Sequence, residues 1–484
     1  MTYKHGVYGS EIPTSILPAV SVSAGLPVVF GTAPVNLATD PVAVNAPTLC
    51  YTYAEAVAAF GFSSDWESYT LCEFIKSHFA LFNVAPVVLV NVLDPATHKT
   101  AVTNQAAVLV AGKKTLSDLG IMLDTLVVKL TAEGSPLAKT TDYVAAFDGD
   151  GKVLITRVST GAITTDTTSL VVSYDKLNPS AVTSSDIIGG VDVSTGAYEG
   201  LELVNRVFPL FRLIPGQILA PGWSQNPEVA AVMVAKASNI NSHFKCIALT
   251  DVPTDTVTKY TDVAAWKETN NYVSPRQIVC WPKVKLGDDI YHLSTQLAGI
   301  ICRTDAEHDD VPYVVASNKL LQTIGAVLAD GTEINLGPEQ AAYLNGNGIV
   351  TALNFIGGWR SWGVQTGCYP GNTDPKDAEI GVRRMFDWIN NTLVTTFWQK
   401  VDAPINRRLV DTVLDSANIW LNGLAARQMI LGGRVTLLQE ENPVTDLMAG
   451  IIRFHVYATP ASAAREMDFI IEYDPAYLTT LFGS

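Results

Sequence analysis

The run APVVLVNVL at 85–93 is apolar at almost every position, with no period-2 alternation. A strand that reads this way is buried on both faces, the condition met inside a parallel sheet covered by helices. The elements around it fit that requirement. LPVVFG (26–31) predicts a second buried strand, and TYAEAVAAFG and YTLCEFIKSHFALF between the two predict helices. The same alternation returns far downstream: LELVNRVFPLFRLI, GQILAPGWS, PEVAAVMVAKASNI and FKCIALTDVP read as helix, strand, helix and strand. The 96–198 stretch between breaks the rhythm. It is rich in Thr, Ser, Val and Gly, with short β-type runs such as KVLITRVS and SLVVSYD. The expected organisation is therefore multidomain, α/β and α+β. A discontinuous α/β core (26–95 and 199–375) receives an inserted β-rich domain (96–198), and a C-terminal domain (376–484) follows an extended N-terminal arm (1–25).

The C-terminal region predicts two amphipathic helices. Val382, Phe386, Ile389, Leu393 and Phe397 form one apolar stripe, and Ile405, Leu409, Val413, Ala417, Leu421 and Leu424 form the other. Asp402 and Pro404 are the expected cap and first-turn residues of the second. RVTLLQE (434–440), IIRFHVYA (451–458) and REMDFIIEYD (465–474) then predict a small antiparallel sheet. In the last segment Met467, Phe469, Ile471 and Tyr473 share one face, against Glu466, Asp468, Glu472 and Asp474 with Ile470 on the other. A strand so near the chain end leaves an edge of unpaired backbone groups, to be covered by its own fold, by water or by another chain.

Composition removes several function classes. A net charge of −15 and a pI near 4.9 oppose sequence-independent binding to phosphates or anionic lipid. The six cysteines are scattered, with no C-x-x-C and no His at ligand spacing, so neither a disulfide framework nor a zinc site is expected and a reducing cytoplasm suits the chain. Pro18 and Pro27 interrupt SILPAVSVSAGLPVVFG, unlike the apolar helix of an export signal, and no segment has the run of apolar residues that a membrane span requires.

The search for chemistry is equally thin. AGKKT (111–115) lacks the upstream glycine of a phosphate loop, and GWRSWG (358–363) has the wrong spacing for a nucleophile elbow. FDGDGK (147–152) puts Lys152 at a calcium-ligand position and reads as a hairpin turn. Asp305, Glu307, His308, Asp309 and Asp310 could supply a base or hold a metal, but no second ligand cluster accompanies them and a solvated loop is the favoured reading. Arg407 and Arg408 sit where the helix dipole disfavours positive charge; local pairing of Arg407 with Asp411 or an acidic partner protein would account for them.

Taken in order, several stretches resemble the contractile-tail sheath proteins of bacteriophages and phage-like particles (tailocins). They are YKHGVYGSEIPTSILP, QILAPGWSQNPEVAAVMVAKA, the segment from NGNGIVTALNF to WGVQTG, IGVRRMFDWINNTLVTTFW and IRFHVYATPASAAREMDFIIEYDPAYLTTLF. The resemblance spans nearly the whole chain outside 96–198. It implies a structural subunit, not an enzyme, that polymerises helically as stacked sixfold rings around a tail tube and contracts to drive the tube through a bacterial envelope. It also implies assembly in the host cytoplasm into a virion tail, with tube, baseplate and tail terminator proteins as partners and without cofactor, metal, nucleic acid or membrane insertion. Terminal strands exchanged between subunits would involve Tyr3, Val7, Tyr8, Ile12, Phe454, Val456, Met467, Phe469, Ile471 and Tyr473. Arg383, Arg384, Arg407 and Arg408 are the candidate tube contacts. The competing readings are a cytoplasmic α/β hydrolase with an inserted β domain and a polymer-forming shell protein that never contracts.

Overall fold

A computed structural model describes residues 23–482. Its centre is an eight-stranded sheet in the order Thr48–Cys50, Val87–Asn91, Pro27–Gly31, Gln217–Leu219, Ile247–Asp251, Gln277–Cys280, Ile349–Asn354 and Trp359–Trp362. The two outermost strands run antiparallel to their neighbours and the interior pairs are all parallel. Pro27–Gly31 and Val87–Asn91 are buried at every position, as a doubly covered strand must be. The helices Pro227–Ser238 and Leu293–Ala306 pack on this sheet, the first capped by the Asn226 side chain with Pro227 in its first turn. A second, four-stranded sheet built from residues 283–334 flanks the main one and has no counterpart in the sequence reading.

The helix expected over 69–82 changes winding midway. Thr70–Ile75 is α-helical and Lys76–Phe82 is π-helical. This wider turn buries Ser77 and His78, and neither side chain finds a hydrogen-bond partner among the described residues. His78 stacks on Phe74 at 4.9 Å. Burial pushes its imidazole down to about 3.

The β-rich insertion comprises two three-stranded sheets, Lys99–Val108 with Ser169–Leu177 and Val127–Lys129, and Lys113–Thr115 with Val153–Arg157 and Tyr143–Phe147. They enclose a separate apolar core containing Leu109, Val128, Tyr143, Ile155 and Val172. Lys99 pairs with Leu177, and the Asn178 N–H donates to the His98 carbonyl at 2.8 Å, so the excursion leaves and returns at one point. Val182, Ile187 and Leu201 already belong to the core of the main sheet. The β-rich excursion thus closes near 177 rather than at 198: polar Ser/Thr composition continues past the point where the chain rejoins the main core.

In the C-terminal region the helices Ile380–Phe397 and Arg407–Ala426 pack together with the antiparallel pair Ile430–Thr436 and His455–Pro460 around Met385, Trp388, Ala417, Leu421, Leu424 and Val435. The first helix is buried well beyond its predicted stripe, because its charged residues are neutralised in place. Arg276 donates to Asp387 at 2.8 and 3.2 Å, Arg383 bridges Asp377 at 3.1 Å and Asp387 at 2.9 Å, and Arg384 reaches Asp305 at 3.1 Å. The Asn391 side chain adds bonds to the backbone N–H and carbonyl of Lys245. The second helix begins at Arg407 with Asn406 as its cap, accepting from the Leu409 N–H at 2.9 Å. The Asp402 and Pro404 assignments are therefore corrected: Asn406 is the residue whose side-chain oxygen meets the free first-turn N–H, and Ile405 lies outside the helix, exposed.

Candidate functional site: the C-terminal hairpin and its free tail

The two-stranded sheet holds a regular antiparallel register from Gly432↔Thr459 to Thr436↔His455, with an irregularity between Ile430 and Gly432. One helix side chain organises its first strand. Asn418 donates to the Val435 carbonyl at 3.0 Å and accepts from the Val435 N–H at 2.8 Å, as a neighbouring strand would. Asn442 makes the same two-bond contact with Arg453, donating at 2.9 Å and accepting at 2.7 Å, and ties together the two sides of the segment that connects the strands. Val456 and Ala458 turn their side chains toward the apolar core, while Tyr457 faces outward beneath the Arg434 guanidinium, 4.3 Å from its ring centre.

Among the described residues beyond Pro460 there is no third strand. Residues 461–474 have no regular structure. This corrects the expectation of a three-stranded sheet within one subunit: the period-2 pattern is present, but among the described residues no backbone of the same chain pairs with it. The pattern's apolar members lie open, with Met467 76%, Phe469 82%, Ile471 93% and Tyr473 74% exposed. At its root the tail is tied to the C-terminal domain, where the Ala463 N–H donates to Glu379 at 2.6 Å.

Phe454 and Val456 are half-buried against the C-terminal core. Tyr3, Val7, Tyr8 and Ile12 lie outside the described residues. Arg383 and Arg384 are 7% and 5% exposed and paired with carboxylates, Arg383 through both terminal nitrogens. Their assignment as surface contacts is corrected, since buried guanidinium groups bound to acids cannot reach another molecule without leaving those acids uncompensated. Arg407 and Arg408 are exposed at the helix start, and Arg407 bonds Asp411 at 2.9 and 3.1 Å. The residues that sequence reasoning missed are Asn418 and Asn442. A signal existed for Asn418, because asparagine inside an otherwise apolar-patterned helix disfavours that helix unless its side chain has work elsewhere.

The acidic segment 303–312 does not converge. Asp305 is taken by Arg384, the His308 Nδ1 lies 2.6 Å from the Thr304 carbonyl, and Asp309 points to Arg427. Among the described residues no group of three His, Cys, Asp or Glu side chains is placed to hold a metal. The Ser361 hydroxyl of GWRSWG donates to the Ala316 carbonyl within the sheet edge. FDGDGK forms the turn of the Tyr143–Phe147 and Val153–Arg157 hairpin, with Gly151 at φ 75°.

No family model matches the chain. It is 28% identical to the tail sheath protein of Burkholderia phage BcepMu, over 99% of both chains. Among solved structures it superposes on the contracted sheath complex of the extracellular contractile injection system PVC with a TM-score of 0.58 and 13% identity, over 99% of both chains. A chain of the anti-feeding prophage baseplate gives 0.56 at 15% identity, covering 98% of this chain and 100% of that one. By sequence similarity along its whole length and by fold, the chain resembles the contractile tail sheath proteins of phages and phage-like injection systems.

Proposed function

We propose that this chain is the subunit of a contractile tail sheath, polymerising helically around a tail tube, with neighbouring subunits joined by exchanged β-strands. The observation that carries this reading is the tail 461–474: a strongly alternating sequence whose apolar face is open to solvent, beside a hairpin two strands wide. An exposed alternating segment is a liability unless something pairs with it. Donation to a neighbour's hairpin removes that liability. Fully extended, residues 465–474 span about 33 Å, enough to bridge adjacent subunits.

Main-chain pairing also suits a lattice that contracts. The bonds run between backbones and do not depend on which side chains meet elsewhere, so subunits rotate while the exchanged strand stays paired. The N-terminal arm, with Tyr3, Val7, Tyr8 and Ile12, is the second donor in this reading. Arg407 and Arg408 are the proposed contacts with an acidic tube surface; exposed pairs of this kind are weak, which permits release on contraction. Baseplate and terminator proteins complete the tail, assembled in the host cytoplasm.

The test is electron microscopy of the full chain beside a variant truncated after Ala464. Hollow cylinders from the intact chain, and folded monomers of unchanged stability from the truncation, are the expected result. Cylinders formed equally well by the truncated chain would exclude the tail as the link.

A further inference from the structure

The two edges of the C-terminal hairpin are not equivalent. In an antiparallel pair, opposed residues alternate between those that bond each other and those whose N–H and C=O both point outward. Asn418 holds both main-chain groups of Val435 at 2.8 and 3.0 Å, so Val435 is an outward-pointing position. By the same alternation Gly433 points outward on this edge, and Val456 and Ala458 point outward on the other. On the first edge, Val435 is already satisfied. Toward the start of the same strand, the irregularity between Ile430 and Gly432 throws it out of register. A plugged pair of groups and a bulge are both devices that stop strand addition.

The second edge has neither. His455–Thr459 is in regular register, and among the described residues no group bonds to the outward N–H and C=O of Val456 and Ala458. The side chains also match. Val456 and Ala458 pack into the core beneath the sheet, where Leu414 and Trp420 are only partly buried. A strand added here with Met467, Phe469 and Ile471 on that face continues the apolar layer, while Asp468 and Glu472 fall on the outer face with His455, Tyr457 and Thr459.

We infer that Asn418 closes the Ile430–Thr436 edge to strand addition, so that the tail 465–474 of a second copy adds only along His455–Pro460. This rests on the strand-exchange reading above and goes beyond it by naming the receiving edge and the residue that selects it. Asn418 is a positioning residue: it touches no partner and acts by occupying the place where one would pair.

The experiment uses the full-length chain with paired cysteines. Thr459 and Arg434 lie at inward-bonded positions of the two strands, where an added neighbour's side chain comes closest. Each is changed to cysteine in combination with cysteine at Asp468, Ile470 or Glu472; the assembled protein is oxidised and run on non-reducing gels. Expected is a ladder of covalent oligomers from Thr459→Cys with one member of the series, and none from Arg434→Cys. Adding Asn418→Ala to the Arg434→Cys series is expected to produce a ladder there. Asn418→Asp, which keeps the shape and the bond from the Val435 N–H, serves if the alanine variant fails to fold. A ladder from Arg434→Cys with Asn418 intact would overturn the inference. No ladder with Asn418 removed would show that the bulge alone closes the edge and overturn the role of Asn418. Cylinders with no ladder at either edge would instead remove strand exchange by this tail.

Discussion

At the scale of single residues, the buried polar groups set the stability. His78 is enclosed with no hydrogen-bond partner among the described residues, and burial drives its imidazole down to about 3. A base whose folded pKa lies below its unfolded value contributes stability that is present above the unfolded pKa, near 6.5, and lost as pH falls, because only the unfolded chain takes up the proton. His78→Phe removes both the orphaned nitrogens and this titration. The variant is expected to be more stable than the parent at neutral pH, with the gap widening by about 2 kcal/mol between pH 6.5 and 5. Urea titrations at a series of pH values measure this; a pH-independent gap would be inconsistent with the buried neutral imidazole. Arg384 and Asp305 make the opposite case, a satisfied pair at 5% and 1% exposure. Removing either partner alone is expected to cost about 3–5 kcal/mol, whereas the double change to Met and Leu recovers most of it. Denaturation of the two single variants and the double variant checks this as a thermodynamic cycle.

At the scale of elements, the helix Arg407–Ala426 shows how local chemistry sets boundaries. The Asn406 side chain satisfies a first-turn N–H that would otherwise lack a partner. Asn406→Ala should therefore lower stability by about 1 kcal/mol, read by thermal unfolding. The tail behaves differently. Phe469 and Ile471 touch little in the isolated chain, so Ile471→Pro should leave the unfolding midpoint of the unassembled subunit unchanged. Proline cannot donate to a ladder and fits poorly within a paired strand, so the same variant should fail to form cylinders. Equal assembly by the proline variant, scored by sedimentation and microscopy, would argue against a paired strand at that position.

At the scale of the molecule, the β-rich excursion forms a compact unit of its own beside the eight-stranded sheet. It carries its own core and begins and ends at hydrogen-bonded neighbours, His98 and Asn178. Joining His98 to Asn178 through a two-glycine link should preserve the eight-stranded sheet and cooperative unfolding. Circular dichroism and tryptophan fluorescence of the excised chain test this, and loss of cooperative unfolding would show that the sheet depends on the insertion. The C-terminal region is tied far more firmly. Arg276–Asp387, Arg384–Asp305 and the Asn391–Lys245 contacts cross between its first helix and the sheet domain, burying that helix on faces no amphipathic pattern marks.

Periodicity alone located the buried strands Pro27–Gly31 and Val87–Asn91, the two C-terminal helices and the alternating tail, because each pattern records which side of the chain meets water. It could not determine what those faces meet. The charges of Arg383 and Arg384 read as surface in sequence, yet partners 79 residues away for Arg384, and 4 and 6 residues away for Arg383, make them interior. Asn418 reads as a weak helix residue, and only folding brings it to the backbone of Val435. The tail's two-faced pattern stands in the amino acids themselves; that no strand among the described residues of the same subunit pairs with it is decided by tertiary structure, since hydrogen bonding between strands depends on where the backbones lie and not on the order of their side chains.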